Sequence, residues 1–456
     1  MAAPRQLIAL LGVAGVVLLA AAGALAVVYL GPDRVASPSV APSTPTPAGT
    51  DELTPLWVSE TERNISGNHH AAIGARVDGR SLVFAPVSGE AHRHAGHHGG
   101  SGTPSTGRAH AHTSGGCALL ALNGTTGSVR WSDAVPPANC TIHSVADPTV
   151  ADADGDGSTE VLATSTLRAV AAYDPLTGDV EFRRNLSAYG YTRPVVADLV
   201  ADPAPEVVVV DVRGSVFVFS SNGRTVWRRD LSAYAWGQPE VADFEADGEP
   251  ELAVGLGTGE LYLLEADGST AWNRSVAEGS GVTWMTAGQV DDDPARELLA
   301  ATPGGHVVAF DGASGAPEWR RDLGAYAAVR AVGDADGDGV TEVYATARDG
   351  KLRALAGPNG SVQWTTALTA ADVQMTPPPI LADVDGDGDD ELVAATNDGR
   401  VLVVDPDDGA VLAGYRRPEP IYTHPTAADL DGDGGSEVVV TYGDGRVAVL
   451  SYAGGG

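Results

Sequence analysis

Residues 152–160, Asp-Ala-Asp-Gly-Asp-Gly-Ser-Thr-Glu, place carboxylates at positions 1, 3, 5 and 9 of a short segment, with a glycine at position 6. Asp152, Asp154, Asp156 and Glu160, with the Ser158 carbonyl at position 7, are hard oxygen donors on alternating positions and can wrap one cation. Calcium suits such a set better than zinc, because every donor is oxygen and the set is large and flexible. Magnesium prefers fewer carboxylates and more water.

Four further segments carry the same set: Asp243, Glu245, Asp247 and Glu251; Asp334, Asp336, Asp338 and Glu342; Asp383, Asp385, Asp387 and Glu391; Asp429, Asp431, Asp433 and Glu437. In all five, position 6 is glycine: Gly157, Gly248, Gly339, Gly388 and Gly434. A chain that must turn back and present a carbonyl at position 7 requires a positive φ there. Two related segments break the pattern, with Pro203 and Pro294 at position 6, where positive φ is unreachable. These two are expected to bind weakly or not at all. Asp-Gly clusters also make ordinary Asx turns, but four uncompensated carboxylates in nine residues would repel one another strongly.

The elements that position these loops follow from their period. The closing glutamates fall at 160, 206, 251, 297, 342, 391 and 437, at intervals of 46, 45, 46, 45, 49 and 46. Each unit reads as four short strands, for example PTVAD, then the acidic loop, EVLATS, AVAAYDP and, after the turn LTG, DVEFRRNL. Four strands per unit of this length predict an all-β β-propeller of four-stranded antiparallel blades. The small first strands (TVAD, VVAD, ILAD) suit the crowded axis. Trp131, Phe182, Trp227, Trp272, Trp319, Trp364 and Tyr415 end the outer strands, where an aromatic packs between blades. The last unit lacks a fourth strand, and LTPLWVSET with Trp57 has the pattern to supply it. Eight blades closed by this N-terminal strand are expected, or seven if the divergent first unit is not a blade.

In such a blade the acidic loops share one face, and the connections between blades share the other. That second face collects Tyr189, Tyr191, Tyr234, Trp236, Trp284, Tyr326 and Tyr422. Five residues before the acidic loops lie Asp147, Arg193, Gln238, Trp284 and His424, a mostly polar ring where strands enter the channel. These residues are the expected binding surface for an extracellular protein or glycan, with blade packing as the alternative. An insertion at 90–116 carries His92, His94, His97, His98, His110 and His112, which could take zinc, copper or nickel. The alternative for it is a solvated Gly/Ser-rich loop.

Composition sets the context. Lys and Arg total 28 against 60 Asp and Glu, a net charge of -32, which argues against nucleic acid as a partner. So acidic and lysine-poor a chain points to a halophilic, archaeal source, where salt screens self-repulsion. Residues 7–30 are uncharged and apolar, about 36 Å as a helix, enough to cross a bilayer. Residues 1–31 are therefore read as a membrane anchor or signal peptide, 32–52 as a Pro/Ser/Thr-rich stalk, and 53–453 as a propeller, monomeric and outside the cell. Sequons at Asn64, Asn123, Asn139, Asn185, Asn273 and Asn359 agree with export. In an exported chain Cys117 and Cys140 are expected to pair, with two small buried hydrophobes as the alternative.

The acidic loops resemble those of the FG-GAP and VCBS repeat families, as in integrin α-subunit propellers, where DxDxDGxxD/E loops hold calcium between a blade's first two strands. The outer-strand endings DGASGAPEW and PNGSVQW are also similar to PQQ-like propeller repeats of the quinoprotein alcohol dehydrogenase-like superfamily. The resemblance covers about Asp51 to Tyr452. It implies structural calcium and a role in binding, adhesion or scaffolding. A PQQ-dependent dehydrogenase is the enzymatic alternative, but that family's vicinal Cys-Cys pair has no counterpart in Cys117 and Cys140, so PQQ is not expected. No nucleophile elbow, zincin motif or phosphate loop is present either.

Overall fold

Runs such as Glu206–Val210 (EVVVV) and Ser215–Phe219 (SVFVF) are apolar at consecutive positions and buried throughout, because a strand held between two neighbouring blades meets apolar side chains on both faces. Outer strands behave differently. Thr225–Asp230 alternates between exposed and half-buried residues, as befits a strand with one wet face. The computed structural model describes residues 52–63, 67–89, 116–200, 204–276 and 280–453. Their secondary structure is entirely β, eight sheets of four strands each, every sheet ordered from the axis outwards.

Blades one to seven span 73–135, 149–185, 195–230, 240–275, 284–322, 328–367 and 380–416. The divergent first unit is thus a blade, with Asp78 and Gly79 (φ 50 and 72) forming its first turn in place of an acidic loop. Blade eight consists of Thr426–Ala428, Glu437–Thr441 and Val447–Ala453, completed on the outside by Glu52–Val58. The eight-blade ring closed by its N-terminal strand matches the pattern read from the sequence.

The ring is locked by a contact that recurs between neighbours. In blade four the third and outer strands pair Leu263 with Trp272 and Leu264 with Thr270, so Ala271 is bulged out and the indole is aimed at the next blade. There Trp272 Nε1 donates to the Gly312 carbonyl at 2.6 Å, and the ring lies over Gly315. Trp131, Trp227, Trp319 and Trp364 make the equivalent bonds to Pro175, Ala266, Gly357 and Pro406. The glycine is obligatory for two reasons: φ at Gly315 is +65, and a Cβ there would stand 2.6 Å from the indole. Gly315→Ala is therefore expected to cost about 2–4 kcal/mol, from left-handed backbone strain and displacement of a packed ring. A fall in the denaturant midpoint at unchanged slope would show it.

Residues 1–51 and 90–115 lie outside the described residues, and with them the expected anchor, most of the stalk and the His-rich insertion. Among the described residues no helix is long and apolar enough to cross a membrane.

Candidate functional site

Each acidic loop joins the first and second strands of its blade, and its closing glutamate is the first residue of the second strand. That position faces inward, so the carboxylate turns back beneath the loop. Glu160 Oε2 accepts from the Ala153 amide at 2.7 Å, and Glu251, Glu297, Glu391 and Glu437 accept from Phe244, Val290, Val384 and Leu430 in the same way. Above it, Asp152 receives the Gly155 and Gly157 amides on its two oxygens. Position 6 takes the expected backbone: φ is +90, +92, +88, +98 and +108 at Gly157, Gly248, Gly339, Gly388 and Gly434.

The carboxylates converge. Single oxygens of Asp152, Asp154 and Glu160 lie within 4.8 Å of one another, as do those of Asp243, Asp247 and Glu251 and of Asp334, Asp336 and Glu342. Burial, reinforced by the loop aspartates, pushes Glu160, Glu251, Glu342 and Glu391 up to about 7 against the pull of their hydrogen bonds, and raises Glu437 as well. One carboxylate oxygen of Glu342 is buried without a hydrogen-bond partner. Such a donor set is short of positive charge, and a hard divalent cation would supply it.

The acidic loop of blade five carries one of the two prolines. Pro294 occupies position 6, yet Asp291, Asp293 and Glu297 still gather within 4.8 Å, and a buried oxygen of Glu297 also lacks a hydrogen-bond partner. The Asp293 carboxylate receives the Ala295 amide, so the turn is made without a positive φ at Pro294. In the acidic loop of blade three Asp202 and Pro203 lie outside the described residues, while Glu206 Oε2 still accepts the Leu199 and Val200 amides.

On the opposite face the connections between blades enclose a cavity of about 430 Å³ at the channel mouth. Among the aromatic residues singled out from the sequence, Tyr191, Trp236, Trp284 and Tyr422 line it, together with Gln238. Tyr234 stands at the rim, edge-on to Trp236 with ring centroids 5.2 Å apart, and its hydroxyl lies 3.5 Å from that of Tyr189. Trp236 and Tyr326 remain 41 and 44% exposed, an unusual state for large rings. Tyr326 does not line the cavity.

Below the mouth the polar ring is connected. Gln238 accepts the Arg193 amide at 2.6 Å and reaches Asp147 at 3.5 Å, while an Arg193 guanidinium nitrogen lies 3.8 Å from Glu240. His424 is buried edge-on to Trp284, and burial, with Arg330 opposite, holds it well below its ordinary range. Sequence reading missed Arg330. A bulge between Val329 and Ala331 shifts the register by one, so counting back from Asp334 lands on a core valine while Arg330 turns into the channel. Burial and the facing Arg193 pull its guanidinium downward.

Three histidines were also missed. His69 and His70 lead into the first strand of blade one, and His143 lies on the link to blade two. His69 Nε2 is 2.5 Å from His143 Nδ1, and His70 Nδ1 is 2.8 Å from Asp147 Oδ1. Burial, then the neighbouring imidazoles, lowers His69 to about 4 and His143 to about 3. Burial opposes ionisation of Asp147, but the hydrogen bond and charge of His70, helped by His424 and the Ala71 amide, hold it down to about 2. The only sequence signal was position: GNHH occupies in blade one the place that SAYGY occupies in blade three. Cys117 and Cys140 form a disulfide that ties the third strand of blade one to this same link.

Comparison with known proteins places the fold in context. A search of curated proteins returns no match. Among solved structures, BamB from Moraxella catarrhalis superposes with a TM-score of 0.57 at 15% identity, over 88% of this chain and 99% of that one. BBS1N in its complex with ARL6DN superposes with a TM-score of 0.50 at 13% identity, over 67 and 91%. The family model described as outer membrane protein assembly factor BamB matches residues 77–244, 155–297 and 257–455, overlapping spans that run through the ring from blade one to blade eight, and the chain belongs to that PQQ-like repeat family.

Proposed function

We propose that the protein is an extracellular scaffold propeller, braced by calcium in its acidic loops, that binds a protein partner at the mouth of its channel. The observation that carries this reading is the cluster of exposed rings, Tyr234 and Trp236 at its centre, bordering a cavity with polar groups at its base. Rings that pack a core are covered. Rings left open on loops around a concave, hydrogen-bonding floor are the usual anchors of protein recognition. The family's name is that of an assembly factor, and BBS1N is described in a complex with ARL6DN, which is in keeping with a protein partner here. The apolar run at 7–30 would tether the ring to a membrane, and the Pro-rich stretch after it would hold the ring clear of the surface.

The test is photo-crosslinking in native membranes, with the reactive side chain placed at Trp236 and, as a control, at exposed Val362 on an outer strand. Discrete protein adducts are expected from position 236 only. In pull-downs, changing Trp236 and Tyr422 together to alanine should lower recovery of the same protein by about 30-fold or more, the loss of about 2 kcal/mol or more typical of central aromatic anchors. Adducts of equal pattern at both positions, or capture of glycan alone, would rule the proposal out.

A further inference from the structure

We propose that His69, His70 and His143 form a transition-metal site of the three-imidazole kind that suits zinc, with its open coordination position facing the channel-mouth cavity. One ring nitrogen from each of the three lies within 4.8 Å of the others. They stand on the face opposite the acidic loops and are distinct from the histidines at 92–112. The inference is independent of the partner-binding reading, because it concerns an ion and not the aromatic rim.

The hydrogen bonds fix which nitrogens are free. His69 Nδ1 lies 2.6 Å from the Gly67 carbonyl, which can only accept, so the proton is on Nδ1 and Nε2 presents a lone pair. The Asp147 carboxylate likewise accepts a hydrogen bond from the Nδ1–H of His70, so in the neutral imidazole Nε2 carries the lone pair. That His70 Nε2 is buried and has no hydrogen-bond partner, an unfavourable arrangement unless something occupies it. His143 Nδ1 faces the His69 lone pair at 2.5 Å. Around a tetrahedral zinc with bonds of about 2.0–2.1 Å, nitrogens stand about 3.3 Å apart, so this pair needs to open by less than about 1 Å.

The supports are those of a built site. A carboxylate holding the far nitrogen of a ligating histidine is the usual outer partner of a zinc imidazole, and Asp147 is itself fixed by the Ala71 amide at 3.0 Å. The Gly67 and Asn68 amides are tied to the Gly443 carbonyl at 2.9 and 3.0 Å, so the turn bearing His69 and His70 is anchored to blade eight. Ser144 accepts the Thr141 amide at 2.6 Å, and the disulfide at Cys140 pins the other side of the segment that carries His143. Three imidazoles without carboxylate in the inner set select a borderline metal over calcium. Three protein ligands beside a cavity leave the fourth position to water or to a carboxylate, imidazole or thiolate entering the mouth.

Zinc uptake tests the site. Full-length protein in saturating calcium, with the six histidines at 92–112 changed to alanine so that they cannot contribute, is titrated with zinc by calorimetry. One tight equivalent is expected, and cobalt(II) in its place should give the visible bands of a four-coordinate ion. His143→Ala should weaken binding more than 100-fold and abolish those bands. Asp147→Asn, which keeps the fold's hydrogen bond to His70 but removes the charge, should weaken it about 10–100-fold. The site is overturned if the reference protein takes up no zinc, or if both variants bind it as the reference does. Should His143→Ala fail to fold, the cobalt spectrum of the reference and the Asp147→Asn titration decide alone.

Discussion

Deleting the seven residues Glu52–Val58 is expected to make the ring aggregate and to lower its melting temperature sharply. This strand is the outer edge of blade eight, paired to the C-terminal strand from Glu52 opposite Ala453 to Val58 opposite Ala448. Its register shifts between Pro55 and Trp57, leaving Leu56 unpaired and 49% exposed, the same bulge that precedes the tryptophan in blade four. The consequence is also the same: Trp57 Nε1 reaches the Gly124 carbonyl at 2.6 Å and the indole lies over Gly127 of blade one. One strand thus finishes a sheet and bolts the last blade to the first. Losing buried Trp57 and Leu53 alone should remove several kcal/mol, since such truncations cost about 2–5 kcal/mol each. The larger effect is topological. Without it Val447–Ala453 (VAVLSYA) becomes an open apolar edge, a template for pairing with other chains. Size-exclusion chromatography and thermal melts of the deletion beside the intact chain measure both effects. A deleted protein that stays monomeric with an unchanged melting temperature would show that closure contributes nothing.

What could be read without coordinates was whatever the repeat wrote more than once. Seven glutamates at nearly constant spacing mark seven of the eight units, and an aromatic, in most copies tryptophan, after each glycine turn marks the contact between them, because these copies obey the same packing constraint. Trp57 was recognisable only as a member of that series. Features that occur once were hidden. Arg330 reaches the channel through a single bulge, and no periodic count survives a local shift in register. His69, His70 and His143 come from two different connections, 74 residues apart at the His69–His143 pair, and meet only because blades one and two adjoin. The denser histidine run at 92–112 drew attention by composition, whereas convergence in space leaves no mark on local composition. The acidic loop of blade five teaches the converse. Pro294 does exclude positive φ at its position, but Glu297 is fixed by the start of the second strand, and Asp291 and Asp293 are held by the Asp293 and Ala295 amides, none of which the proline disturbs.

Stripping calcium from the protein in low salt is expected to lower its melting temperature by roughly 15 °C. An ion that binds only the folded state contributes about 2.7 kcal/mol when its free concentration is a hundredfold above Kd. Five such loops would contribute about 13 kcal/mol. With unfolding entropy of about 2.1 cal/mol/K per residue over the ring, each kcal/mol corresponds to a little over 1 °C. The loops are placed to deliver this effect to the whole ring, since each joins the two innermost strands of a blade, and Glu160, Glu251, Glu391 and Glu437 also hold the amide of a buried loop residue. Removing the ion would leave carboxylates within 4.8 Å of one another at the centre of a chain already carrying a net charge of -32. Added sodium chloride should restore part of the loss by screening the exposed aspartates, but not the part owed to buried Glu160 and its counterparts. Single-loop variants then order the sites. Asp154→Asn, in a loop whose glycine opens the turn, should remove about one-fifth of the calcium-dependent shift, and Asp291→Asn reports whether the proline loop contributes at all. An unchanged melting temperature after chelation in low salt would leave the loops as turns and remove calcium from the account of this fold.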